Sequence, residues 1–191
     1  MVLHFRLGEP PMKNAILLST AALALVAAAP SLAQSIPEKT GVNQALVASP
    51  KTQDFVTIVT QSDMLEIESS KLALQKSDSA KTKTFAQKMI DDHTATSTEL
   101  KRLVSGGKVQ ASGPSGPDKA HQEKLDKLAK LQGKDFTKLY DEMQVSTHKD
   151  AVSLFERYGK EGDNVDLKAF ATKYLPRLQE HLKMAQDLDK P

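Results

Sequence analysis

Four residues interrupt apolar stripes from the inside: Glu66, His93, His148 and His181. Glu66 stands seven residues after Val59 and seven before Ala73, and His93 stands four after Met89 and seven before Leu100. His148 follows Val145 by three residues and precedes Phe155 by seven, while His181 follows Leu178 by three and precedes Ala185 by four. Such spacings join neighbours on one helix face, so each polar residue belongs to the buried face of its own helix. One carboxylate and three imidazoles make a donor set for zinc, iron or copper, and a poor one for calcium or magnesium, which prefer oxygen. Asp92, Glu99 and Glu156, with Asp150 and Glu180, are candidates to accept a hydrogen bond from the second nitrogen of an imidazole and orient it. The same four residues also read as a metal-free Glu–His network, because buried polar groups are costly unless they satisfy one another. Both readings stand at this level.

Four long helices must carry these residues. Apolar spacing predicts them at 52–75, 79–105, 136–159 and 164–189, and a shorter one at 118–132 with Leu125, Leu128 and Leu131. Glu66, His93 and His148 fall within about one turn of their helix centres, and His181 roughly 7 Å beyond its own. In a bundle they therefore occupy neighbouring layers of one core. Gly106, Gly107, Gly113, Pro114, Gly116 and Pro117 mark a crossover loop. Asp135 is expected to cap the fourth helix, and Asp163 or Asn164 the last. Pro176 predicts a kink in that last helix, with no donor for the carbonyl near Thr172. The expected fold is all-α, a four-helix bundle over residues 52–190 with one extra short helix in the crossover. His121, at the start of the short helix, reads as a solvent-exposed histidine, and Met64, Met89, Met143 and Met184 read as core filler.

Composition narrows the function classes. The 191 residues carry a net charge of +2, so neither nucleic acid nor an anionic membrane surface is an expected partner. The absence of cysteine excludes disulfides, thiolate metal sites and thiol catalysis. No phosphate loop, nucleophile elbow or catalytic triad is recognisable, and the balance is against an enzyme. Met12-Lys13-Asn14, the apolar run from Ala15 to Ala29 and Pro30-Ser31-Leu32-Ala33 have the form of a secretory signal peptide cleaved after Ala33, with Met12 as the true start. Residues 1–33 are then the leader, 34–51 a flexible linker, and the mature chain lies in the periplasm or outside the cell with no transmembrane segment.

The segments Asp54-Phe55-Val56, Glu66-Ile67-Glu68, Phe85-Ala86-Gln87-Lys88-Met89-Ile90-Asp91-Asp92-His93, Gly133-Lys134-Asp135-Phe136, Thr147-His148 and Leu175-Pro176-Arg177-Leu178-Gln179-Glu180-His181-Leu182 resemble domain-of-unknown-function family 4142. The similarity extends from about Gln53 to Leu188. It implies export by bacteria and a ferritin-like bundle, with recurring polar positions at Glu66, His93, His148 and His181. Some members carry the label of outer-membrane protein, but this chain lacks the alternating strands of a barrel. Di-iron bundles use Glu-x-x-His on two helices; here Ile90 and Leu178 stand three residues before His93 and His181. A mononuclear, histidine-rich site is the form that remains. Three readings follow: a module that binds a transition metal or senses a stress-related ligand, a metal-dependent oxidase with an open coordination position, and a metal-free, stress-related structural protein whose outer helix faces bind envelope partners.

Overall fold

The computed structural model describes residues 50–190, which form five helices. They are α1 (Thr52–Lys76), α2 (Ala80–Ser105), α3 (Lys119–Ala129), α4 (Gly133–Glu161) and α5 (Val165–Leu188). No strand occurs among the described residues, so the all-α expectation holds. None of these helices is long and apolar enough to cross a membrane. The leader at 1–33, and the linker at 34–51 except its last two residues, lie outside the described residues.

Local chemistry sets most helix boundaries. The side chains of Ser79, Asp118 and Asn164 accept hydrogen bonds from the backbone N–H groups of Thr82, His121 and Leu167, capping α2, α3 and α5. Asp135 does not cap α4. That helix starts earlier, at Gly133, whose φ of 54° makes the left-handed turn out of the α3–α4 connection, and Asp135 lies in its first turn. Gly159 does not end α4, which runs on to Glu161. Pro176 is accommodated inside α5, which continues to Leu188.

Two apolar clusters lie at opposite ends of the helices. One gathers Phe55 and Val59 of α1, Leu100 and Leu103 of α2, Leu154 and Tyr158 of α4, and Phe170 and Leu178 of α5. The other gathers Ala73, then Phe85 and Met89, then Phe136 and Tyr140, then Ala185, from the same helices in the same order. Along the chain, α1 and α5 run from the first cluster to the second, whereas α2 and α4 run from the second to the first. Because α2 and α4 are parallel, the chain between them must travel the length of the molecule, and α3 lies on that crossover. The most extensive contacts are α4 with α5 and α1 with α2; α1 also meets α3 and α4, and α2 meets α5.

The crossover is held on α1 by two glutamines. Gln53 accepts from the N–H of Ser112 at 3.1 Å and donates to its carbonyl at 2.8 Å. Gln61 likewise accepts from the N–H of Asp118 at 2.7 Å and donates to the carbonyl of Gly116 at 3.1 Å. Gly113 lies so close to α1 that a Cβ there would meet Thr60 Oγ1 at 2.9 Å, so the approach requires glycine.

At the second end, Asp141 is buried and accepts from Thr82 Oγ1 at 3.2 and 3.3 Å. Burial raises its carboxyl to about 6, against the hydrogen bond from Thr82 and with help from Asp189. A carboxyl raised on folding favours the protonated native state, so its contribution to stability falls as pH rises from about 4 to about 6. Asp141→Asn, which keeps an acceptor for Thr82, is expected to be more stable than the parent by about 1 kcal/mol at pH 7.5. Thermal unfolding at two pH values checks this: the advantage should vanish near pH 4, and an equal gain at both would exclude the titration of Asp141 as its cause.

Candidate metal centre

Between the two apolar clusters each long helix places polar side chains inward. From α1 come Asp63 and Glu66, from α2 His93 and Thr96, from α4 Gln144, Thr147 and His148, and from α5 His181; all are buried. The helix spacings read from the sequence thus converge at one level. The rings of His93, His148 and His181 form a nearly equilateral triangle with centroid separations of 5.7, 5.5 and 5.3 Å. One nitrogen of each ring lies within 4.8 Å of the others. A point equidistant from the three centroids is about 3.2 Å from each, and a metal bonded at the usual 2.0–2.1 Å to a ring nitrogen sits about that far from the ring centre.

Each ring is anchored through its other nitrogen. His93 Nδ1 meets Asp63 Oδ1 at 2.8 Å, His148 Nδ1 meets the Gln144 carbonyl at 2.9 Å, and His181 Nε2 meets Asp92 Oδ2 at 2.8 Å. A backbone carbonyl and an ionised carboxylate only accept, so in each pair the imidazole N–H donates. The opposite nitrogens, His93 Nε2, His148 Nε2 and His181 Nδ1, are buried and have no hydrogen-bond partner among the described residues. In neutral rings all three are lone pairs. An unsatisfied buried acceptor costs about 1–3 kcal/mol, and three of them converge here. Three imidazoles with ligand atoms within 4.8 Å of one another and outer anchors on each ring could hold a metal ion.

The anchors are themselves fixed. Asp63 Oδ2 accepts from Ser97 Oγ at 2.9 Å, and Asp92 also pairs with Lys88 at 3.0 Å and Arg177 at 3.3 Å. Burial lowers His93, but the hydrogen bond and charge of Asp63, with the carboxylates of Glu66 and Asp92, outweigh it and raise the ring above its usual range. Burial raises Asp63 despite His93 and Ser97. His148 is lowered, mainly by burial, and His181 is pushed to about 3 by burial and then by His93 and His148. Burial would raise Asp92, but His181, Lys88 and Arg177 hold it below the usual carboxylate range. His93 is therefore the ring that competes for a proton.

Glu66 adjoins this set without joining it: the atoms within 4.8 Å belong to the three imidazoles. Its Oε1 accepts from Thr147 Oγ1 at 2.6 Å, and its Oε2 is buried without a partner. Of the carboxylates expected to orient a ring, Asp92 does so. Glu99 instead pairs with Lys173 and accepts from Tyr174 Oη at 2.8 Å. Glu156 accepts from Gln179 at 3.4 Å, Glu180 is exposed, and Asp150 lines a cavity together with His121. These residues look alike in sequence because helical spacing reports a face and not a partner. Asp63 was missed, although its position four residues after Val59 and three before Glu66 puts it on the same stripe.

His121 corrects a second expectation. It is 9 % exposed, and with Leu125 and Leu128 it forms the inner face of α3. It lines a cavity of about 50 Å³ whose walls also include Asp63, His93, Thr147 and Asp150.

The anchors predict a tautomer pattern for the metal-free protein at pH 8: the N–H on Nδ1 of His93 and His148, and on Nε2 of His181. Imidazole 15N shifts report it directly. Asp63→Asn should lower the pKa of His93 and leave His181 neutral throughout the physiological range; an unmoved His93 would show that Asp63 is not its proton-holding partner.

A comparison with curated proteins gives no match. Among solved structures the chain resembles CopM in the Cu(II)-bound form, with 18% identity and a TM-score of 0.62, over 74% of this chain and 97% of that one. It also resembles CopM in the Cu(I)-bound form, with 18% identity and a TM-score of 0.59, over 72% and 94%. At that identity the likeness is one of fold. At the level of sequence, the model of the domain of unknown function DUF4142 matches residues 37–188, and the chain belongs to that family.

Proposed function

We propose that this protein is an exported helical-bundle protein that binds one transition-metal ion through His93, His148 and His181. The observation that carries the proposal is the set of three buried imidazoles, each tied outward by an acceptor and each left with an unpartnered nitrogen on the inner side. Imidazole donors suit copper, zinc and iron, and copper is the first to test because the solved structures of similar fold carry it in both oxidation states. Bound there, an ion would be held away from solvent, with the Glu66 carboxyl beside the rings and Thr147 fixing one of its oxygens. Asp63, Asp92 and the Gln144 carbonyl orient the rings and hold their protons on the outer nitrogens. We read the helix order, with its long crossover, as ferritin-like, and the leader as delivering the chain to the periplasm or beyond, where envelope proteins are its candidate partners. The donor set departs from a di-iron centre, and the role proposed is to hold or carry metal.

Elemental analysis of untagged residues 34–191, purified without chelator, should find near-stoichiometric metal, or the apo-protein should take up Cu(II) at one equivalent. His93→Ala, His148→Ala and His181→Ala should each abolish stoichiometric binding while far-UV circular dichroism stays helical. Asp92→Asn should weaken affinity about 10–100-fold. Metal at about a hundredfold excess over its dissociation constant should add about 2.7 kcal/mol of stability. A folded protein that refuses copper, zinc and iron would sink the proposal.

A further inference from the structure

The three-imidazole centre is sealed by the helices that build it, so an ion needs a way in, and the structure contains a fourth imidazole facing toward it. His121 Nδ1 meets Asp118 Oδ1 at 2.8 Å, the same oxygen that accepts from the His121 backbone N–H at 2.8 Å. The carboxylate fixes the N–H on Nδ1, which leaves Nε2 as the lone pair of the ring. The cavity that His121 lines is roofed by α3, with exposed Lys124 and half-buried Asp150 toward solvent and buried Asp63, His93 and Thr147 inside. Most of the wall between is apolar, including Ile58, Val59, Leu154 and Phe155. Its volume of about 50 Å³ exceeds the roughly 10–15 Å³ that a single water needs, so a partly hydrated cation fits.

We propose that His121 is a relay ligand, which captures a transition-metal cation in the α3-roofed cavity and passes it to His93; this rests on the reading of the three imidazoles as a metal site. The apolar side chains of the wall offer a cation no bonds, so an imidazole ligand within the cavity shortens the desolvated step. The transfer is a ligand exchange. Water replaces the metal–nitrogen bond to His121, the ion crosses the shared cavity, and the bond to His93 then replaces a bound water; the oxidation state of the ion does not change. A relay ligand absent from the final complex lowers the barrier in both directions, so it alters rates and leaves the equilibrium where it was.

The test is stopped-flow loading of the apo-protein with Cu(II) as its chloride, and release to a chelator in excess, for the parent, His121→Ala and His121→Gln. The glutamine variant keeps a donor for Asp118, and circular dichroism confirms that α3 and the rest of the fold persist. Both variants should load and release about tenfold more slowly, with an unchanged dissociation constant. Unchanged rates in both would overturn the relay. Weaker equilibrium binding with unchanged loading would also overturn it, because His121 would then belong to the resting site. Failure of the underlying reading looks different: the parent takes up no Cu(II), or His93→Ala binds it as tightly as the parent, and the relay falls with it.

Discussion

A buried imidazole has to place its N–H, and at the middle of this protein three of them place it outward. His93 gives it to Asp63 on α1, His181 to Asp92 on α2, and His148 to a carbonyl of its own helix, α4. Two of these bonds cross between helices and tie α1 to α2 and α2 to α5, which are also packed pairs. Since the outer nitrogen of each ring is committed, the inner nitrogens are left without hydrogen-bond partners among the described residues. Three such nitrogens within 4.8 Å of one another could hold a metal ion at that level. Of the three rings, His93 is the one whose proton affinity is raised, against burial, by the hydrogen bond and charge of Asp63.

The apolar clusters on either side make that layer possible. At one end Phe55 stacks on Tyr158 at 3.9 Å and meets Phe155 and Phe170, and at the other Phe136 stacks on Tyr140 at 6.0 Å with Phe85 on its edge. Each fully buried aromatic ring contributes on the order of 1.5–3 kcal/mol, and together they offset a middle that contributes little to stability by itself. Splitting the core in two also fixes depth. A helix cannot slide by a turn without moving a histidine into an apolar cluster and a phenylalanine into the polar layer, so packing at the ends registers the donors at the centre.

The crossover contributes through position. Gln53 and Gln61 hold its backbone against α1, and Gly113 permits the close approach, so α3 is laid over the groove beside Asp63 and His93. The result is a cavity with an imidazole on its wall. A loop tethered only at its ends would leave His121 in solvent, as the sequence alone suggests.

Much was legible before any coordinates. The helical period, the Gly/Pro crossover and the expected cap at Asn164 placed five helices to within a few residues, because local hydrogen bonding and side-chain spacing act over short stretches of chain. The polar residues on buried stripes, Glu66, His93, His148 and His181, were legible for the same reason. What tertiary structure alone decided is partnership. That Asp92 anchors His181 while Glu99 serves Lys173 and Tyr174, that Glu66 stands beside the rings with Thr147, that Asp63 holds His93, and that His121 faces inward all depend on pairings between residues about 30 to 90 positions apart. A helix face tells a residue which way to point, and only the packing of one helix on another settles what it meets.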